Sequence, residues 1–135
     1  MRNVLIVLLI IGIFVLAACG GDGGTEINAT LEPVPAEYSG LTNPFGTEAA
    51  ADGAKIFQSN CAPCHGPEGH GDGPAGQSLE PKPKNLGEIQ QIASDGHLFW
   101  RISQGSPGTS MVAWKGILTE DQIWQVIVFI RILTP

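Results

Sequence analysis

Cys61-Ala62-Pro63-Cys64-His65 constrains this chain more than any other stretch. In C-x-x-C-H two thiols stand at the spacing that reaches the two vinyl groups of one haem, while the next residue reaches its iron. Each cysteine would form a thioether at one porphyrin edge, and the His65 imidazole would sit beneath the iron as its proximal ligand. Pocket geometry then starts from covalent bonds, and the cofactor expected is one covalently attached haem c. Two other chemistries use the same residues. A redox dithiol opens a helix after a strand in a βαβ unit, whereas the residues before Cys61 read as the end of a helix. A zinc site needs four ligands, and no second cysteine pair exists.

The 135 residues allow one small domain and additions, and the additions lie at the N-terminus. Residues 1–18 have the form of a signal peptide: Arg2, an apolar run from Val4 to Val15, then Leu16-Ala17-Ala18 ahead of Cys19. The order Leu-Ala-Ala-Cys-Gly resembles the bacterial lipoprotein signal, which implies acylation of Cys19 as the first mature residue. An uncleaved anchor is the competing reading, but crossing hydrocarbon takes about 20 residues and this run is shorter. The three cysteines are then accounted for, Cys19 by lipid and Cys61 and Cys64 by haem, with none left for a disulfide. Removing Arg2 leaves six Lys and Arg against thirteen Asp and Glu, a formal charge of −7. Such a surface excludes nucleic acid as a natural partner.

Residues 19–46 shift to Gly, Pro, Thr and acids without sustained periodicity, the composition of a flexible tether. Its length gives a span on the order of 30 Å as a coil and roughly 90 Å when straight. Within it, Tyr38, Leu41 and Phe45 leave two readings open, stray linker side chains or a patch that docks on the domain or a neighbouring subunit. The folded part is expected over residues 47–135. A first helix is predicted from Thr47 to about Ser59, with Gly53, Ile56 and Phe57 on one face and its end against the haem motif. The stretch from Gly66 to Pro74 is too rich in Gly and Pro for regular structure and reads as a loop over one haem edge. It follows no strand, lacks a G-K-[ST] ending and carries two acids, so it is no phosphate cradle. A second helix is predicted from Ser94 or Asp95 to the stop at Gly105. The last helix is marked by a capping box at Thr119 and Gln122, with Leu118 and Ile123 placed as a hydrophobic staple.

Between those two helices a Gly- and Pro-containing loop carries Met111, which becomes the only methionine once Met1 leaves with the signal. A lone Met usually fills a core gap; here its loop can bring the thioether to a flat ring as a distal iron ligand. Cys61 to His65, the Gly-flanked Met111 loop and the capped C-terminal helix together resemble a small class I c-type cytochrome, over about Thr47 to Leu133. The resemblance implies an all-α fold of three to four helices around one covalently bound haem, with His65 and Met111 as the two metal ligands. It also implies that Gly53 and Phe57 pack on the last helix, where Trp124, Val126 and Phe129 occupy the matching side. Two departures stand out: Val112 follows Met111 where the family often has Pro, so the loop is expected to be softer, and the Pro81 to Leu86 stretch is spaced unusually. By the resemblance, the Pro83 carbonyl accepts the proximal imidazole N–H and Leu86 lies against the haem.

His70 and His97 are expected as surface or loop histidines, since His65 alone has the attachment spacing. For Trp100 and Trp114 both pocket lining and plain core packing are open. Arg101 meets a haem propionate or lies on a solvated helix face. A haem with both axial positions filled has no open site for substrate, which favours electron transfer over catalysis. The expected protein is a membrane-tethered carrier of single electrons in a respiratory or photosynthetic chain, lipid-anchored on the outer face of a bacterial cytoplasmic membrane. The partners expected are redox proteins or subunits of a membrane complex.

An alternative is a fixed haem relay in a larger complex. The lipidated start and the Tyr38 to Phe45 stretch resemble the mono-haem subunit of alternative complex III, and the nearly all-apolar Ile123 to Leu133 asks for cover on more than one side. A haem sensor or peroxidase-like enzyme is a third reading and would require Met111 to be off the iron.

Overall fold

The computed structural model describes residues 31–135. The signal peptide expected over residues 1–18 and the lipidation site Cys19 lie outside the described residues. Regular structure among those described is helical, apart from one bridge between Lys115 and Leu118. After a 3-10 turn at Thr47–Ala49 come α1 (Ala50–Asn60), the single turn α2 (Ala62–His65), α3 (Leu86–Ile92), α4 (Asp95–Gln104) and α5 (Glu120–Ile130). No helix among the described residues is long and apolar enough to cross a membrane.

The pairing of α1 with α5 is the most extensive helix contact. Gly53 and Phe57 stand one turn apart on the buried face of α1. At Gly53 the two backbones come so close that an added Cβ would lie 1.9 Å from the Gln125 carbonyl oxygen. One turn on, the rings of Phe57 and Phe129 meet at 5.1 Å between centroids. The last helix starts where its sequence says, with Thr119 Oγ1 accepting from Gln122 N–H (3.2 Å) and the Gln122 side chain accepting from Thr119 N–H (2.9 Å). One detail differs from the family pattern. Trp124, expected on the α1 side with Phe129, stacks on Phe99 of α4 at 4.2 Å, and Val126 lines the cavity described below.

Cover for the apolar α5 comes from within the domain: Ile123, Trp124, Val126, Ile127, Val128 and Ile130 are all buried. The seven-residue α3 has only Leu86, Ile89 and Ala93 at helical spacing to announce it; Asn85 caps it by accepting from Gly87 N–H at 2.9 Å. Ser94 caps α4 in the same way, accepting from His97 N–H.

The described part of the expected tether, residues 31–46, lies against the helices as a strap. Tyr38 packs near Phe99 at 6.2 Å, its hydroxyl accepts from Gln104, and its carbonyl oxygen would meet a Cβ at Gly96 at 2.0 Å. Asn43 donates its side-chain amide to the Trp124 carbonyl at 2.9 Å, and its backbone N–H goes to Asp95 at 2.9 Å. Leu31, Tyr38 and Phe45 pack on the core. Composition reads as linker here because backbone-directed hydrogen bonds and three spaced apolar side chains leave no periodic trace.

Arg131 fastens the far end of the bundle. Its guanidinium donates to the Asp95 carboxylate (2.6 and 3.0 Å), to the Ala93 carbonyl (2.9 Å) and to the Gln90 carbonyl, joining α3, α4 and α5. Substituting Arg131→Ala leaves those acceptors without their donor in a partly buried site. We expect a loss of about 2 kcal/mol in unfolding free energy, measured by chemical denaturation of the holoprotein.

Candidate functional site

The haem motif sits at a junction of turns. α1 ends as Cys61 N–H donates to the Phe57 carbonyl, and α2 carries the motif through one further turn, with His65 N–H donating to the Cys61 carbonyl at 2.8 Å. The following loop folds back on it: Ala75 N–H reaches the Pro63 carbonyl, and Gly71 N–H reaches the His65 carbonyl at 2.7 Å. On α4, the C-terminal carbonyls of Ile102 and Ser103 accept from Trp114 and Lys115 N–H, while Ser106 N–H donates to the Met111 carbonyl. The Met111 loop is thereby fixed to a helix end whose carbonyls would otherwise lack partners.

These elements enclose a partly open cavity of about 350 Å³, lined mainly by apolar atoms. Cys61, Cys64, His65, Pro83, Leu86 and Met111 all line it. Ile102 and Trp114, with Val126 and Ile130 of α5, add apolar surface. Trp100 is not among the lining residues; it lies beneath Arg101 and beside His97. His70 is exposed, with Nδ1 3.8 Å from the Glu68 carboxylate.

No disulfide joins Cys61 and Cys64. Burial, with the neighbouring Cys64 adding to it, pushes the Cys61 thiol up to about 12. That is the reverse of what a redox dithiol needs, because its attacking cysteine must be a thiolate near neutral pH. A zinc site also lacks support, since no three His, Cys, Asp or Glu residues among those described are grouped to hold a metal.

His65 is the informative polar atom set. Its Nδ1 is buried with no hydrogen-bond partner among the described residues. Burial lowers the imidazole's proton affinity, and the Lys84 backbone opposes that to a smaller degree. The Lys84 backbone lies near the ring, and the Pro83 carbonyl sits against Gly71, 2.3 Å from where a Cβ would lie there. With Nδ1 turned into the protein, the ring has its other edge for the cavity that it lines. Two thiols, an imidazole and a thioether around one apolar cavity fit a covalent haem.

Sequence reasoning missed part of the lining. His97, expected at the surface, is 5% exposed on α4 and faces the cavity one turn before Arg101. Burial chiefly lowers its proton affinity, with Arg101 and Lys84 acting the same way and Glu32 opposing. The spacing of His97, Leu98, Arg101 and Ile102 on one helical face was the available signal. Leu31, Glu32 and Lys84 also line the cavity, and no motif in the sequence points to them.

Residues 48–130 match the family described as cytochrome c oxidase, cbb3-type, subunit III. The chain belongs to this family. It is a class I c-type cytochrome domain; the family implies a covalent haem c, and Cys61 and Cys64 of a C-x-x-C-H site are present. Among curated relatives, the cbb3-type cytochrome c oxidase subunit FixP of Bradyrhizobium diazoefficiens is 36% identical over 122 residues, 87% of this chain and 39% of that protein. FixP of Bradyrhizobium sp. (strain ORS 278) is 36% identical over 96 residues, 70% of this chain and 31% of that one. This cytochrome therefore spans less than two fifths of the length of the curated relatives it matches. A solved structure, the reducing HAO-like protein complex of Kuenenia stuttgartiensis, aligns with a TM-score of 0.60 and 31% identity, over 66% of this chain and 44% of that one.

Proposed function

We propose that this cytochrome transfers single electrons through one haem c, which thioethers at Cys61 and Cys64 would hold covalently and whose iron His65 and Met111 would ligate. The observation that carries the reading is the convergence of those four side chains on one apolar cavity. When bound, the haem supplies a one-electron couple whose potential a thioether ligand raises relative to two imidazoles. The chain's part is to hold that group still and dry. The fixed turn at Cys61 to His65 sets the imidazole, the Lys84 backbone biases its proton, and the α4 anchor of the Met111 loop sets the sulfur. Ligation by both His65 and Met111 would leave no coordination site for a substrate, which separates this reading from a sensor or a peroxidase.

Cys19, by its signal-like surroundings, would carry the lipid that tethers the domain to the outer face of a bacterial cytoplasmic membrane. A fixed relay in a larger assembly is the second reading. It is favoured by the relatives, which are named as a subunit of an oxidase and as part of a protein complex. Purification in mild detergent separates the two: elution with other membrane subunits at fixed stoichiometry supports the relay, and elution alone supports the shuttle.

The ligand set is tested by Met111→Ala. The wild-type holoprotein is expected to be low-spin with a sulfur-to-iron band. The variant is expected to become high-spin, to bind carbon monoxide rapidly when reduced and to lose potential. An unchanged low-spin spectrum would remove Met111 from the iron.

A further inference from the structure

Arg101 is a cation in the wrong place for a solvated helix face. Its side chain is 15% exposed, its guanidinium lies 3.9 Å over the Trp100 ring, and it lines the cavity. A guanidinium carries five N–H donors, yet among the described residues its one hydrogen-bonded partner is the Glu32 carboxylate. Glu32 belongs to the strap, and it and Leu31 also line the cavity. The remaining donors of Arg101, with Lys84 beside them, make this end of the cavity cationic, while burial holds His97 toward its neutral form.

We propose that the strap is a working wall of the haem pocket: Glu32 braces and partly neutralises Arg101 at the cationic end of the cavity, so that seating of the strap sets the reduction potential. The inference rests on the haem reading above. Its sign follows from charge alone. A ferric centre carries one more positive charge than a ferrous one, so a nearby anion favours the ferric state and a nearby cation the ferrous. Glu32 is the more exposed partner at 70%, so solvent and salt screen it more than they screen Arg101. Glu32 acts through Arg101 and is a positioning residue.

The test is the midpoint potential of the full-length holoprotein, followed spectroscopically, for Glu32→Gln, Glu32→Asp and Arg101→Gln. Glu32→Gln should raise the ferrous-to-ferric ratio at fixed potential by about threefold, ~28 mV at 59 mV per tenfold. Arg101→Gln should lower it by more. Glu32→Asp, which keeps the charge, should stay at the wild-type value, and 1 M salt should shrink the Glu32→Gln shift. If Arg101→Gln does not fold, the Glu32 pair decides alone, because both variants leave the buried guanidinium in place. Equal potentials for Gln and Asp, in proteins that retain low-spin haem, overturn the proposal. A wild-type chain that holds no haem overturns the underlying reading instead.

Discussion

Replacing both attachment cysteines, Cys61→Ser and Cys64→Ser, is expected to abolish porphyrin that survives acid-acetone extraction and to leave the domain largely unfolded at physiological temperature. The reasoning is volumetric. The cavity these residues line measures about 350 Å³, and an unfilled apolar cavity costs about 24 cal/mol per Å³, hence up to ~8 kcal/mol. Whole domains are stable by only about 5–15 kcal/mol. The figure is an upper bound because the cavity is partly open, yet even half of it would consume most of a small domain's margin. Intact mass and far-UV circular dichroism of the extracted variant provide the check. Porphyrin still covalently bound in the double variant would place the attachment elsewhere.

The second large effect is expected from Gly53→Val. Even a single Cβ at this position would sit 1.9 Å from the Gln125 carbonyl oxygen and 3.2 Å from Phe129 Cβ. The first obstacle is backbone, which cannot turn aside as a side chain can. The helices must separate, and that withdraws Phe57, 0% exposed, from its contact with Phe129. Overpacking of a tight core costs about 1–3 kcal/mol and more where backbone must move; at this crossing we expect at least ~4 kcal/mol, seen as a large fall in the denaturation midpoint of the holoprotein. A Gly53→Val protein of wild-type stability would show that α1 and α5 can part without loss.

Those two predictions draw on what the sequence displays most openly. C-x-x-C-H is legible because covalent chemistry fixes its spacing, and the α5 start is legible because a capping box is a local code of four residues. Gly53 and Phe57 are legible through the family likeness. The strap is not, because its hold on the domain comes from scattered pairs such as Asn43 with Asp95, separated by 52 residues. α3 escapes notice since seven residues give barely two turns of pattern, and its main cue is one capping Asn85. His97 is misplaced for a related reason: the cavity it lines is shared with Leu31, Glu32 and Lys84, residues distant in sequence whose approach its own neighbours do not announce. The acceptor for the His65 imidazole is put forward by family likeness alone, as Pro83, and the Lys84 backbone near the ring is the next residue along.

Asp95 receives the Asn43 N–H from the strap and the Arg131 guanidinium from just beyond α5, and it lies in the first turn of α4. A single carboxylate thus ties the entering and leaving ends of the folded region to the same knot. Pulling on the incoming segment would load the Glu32 and Tyr38 contacts first, and once these gave way the force would pass through Asn43 and Asp95 into the C-terminal helix.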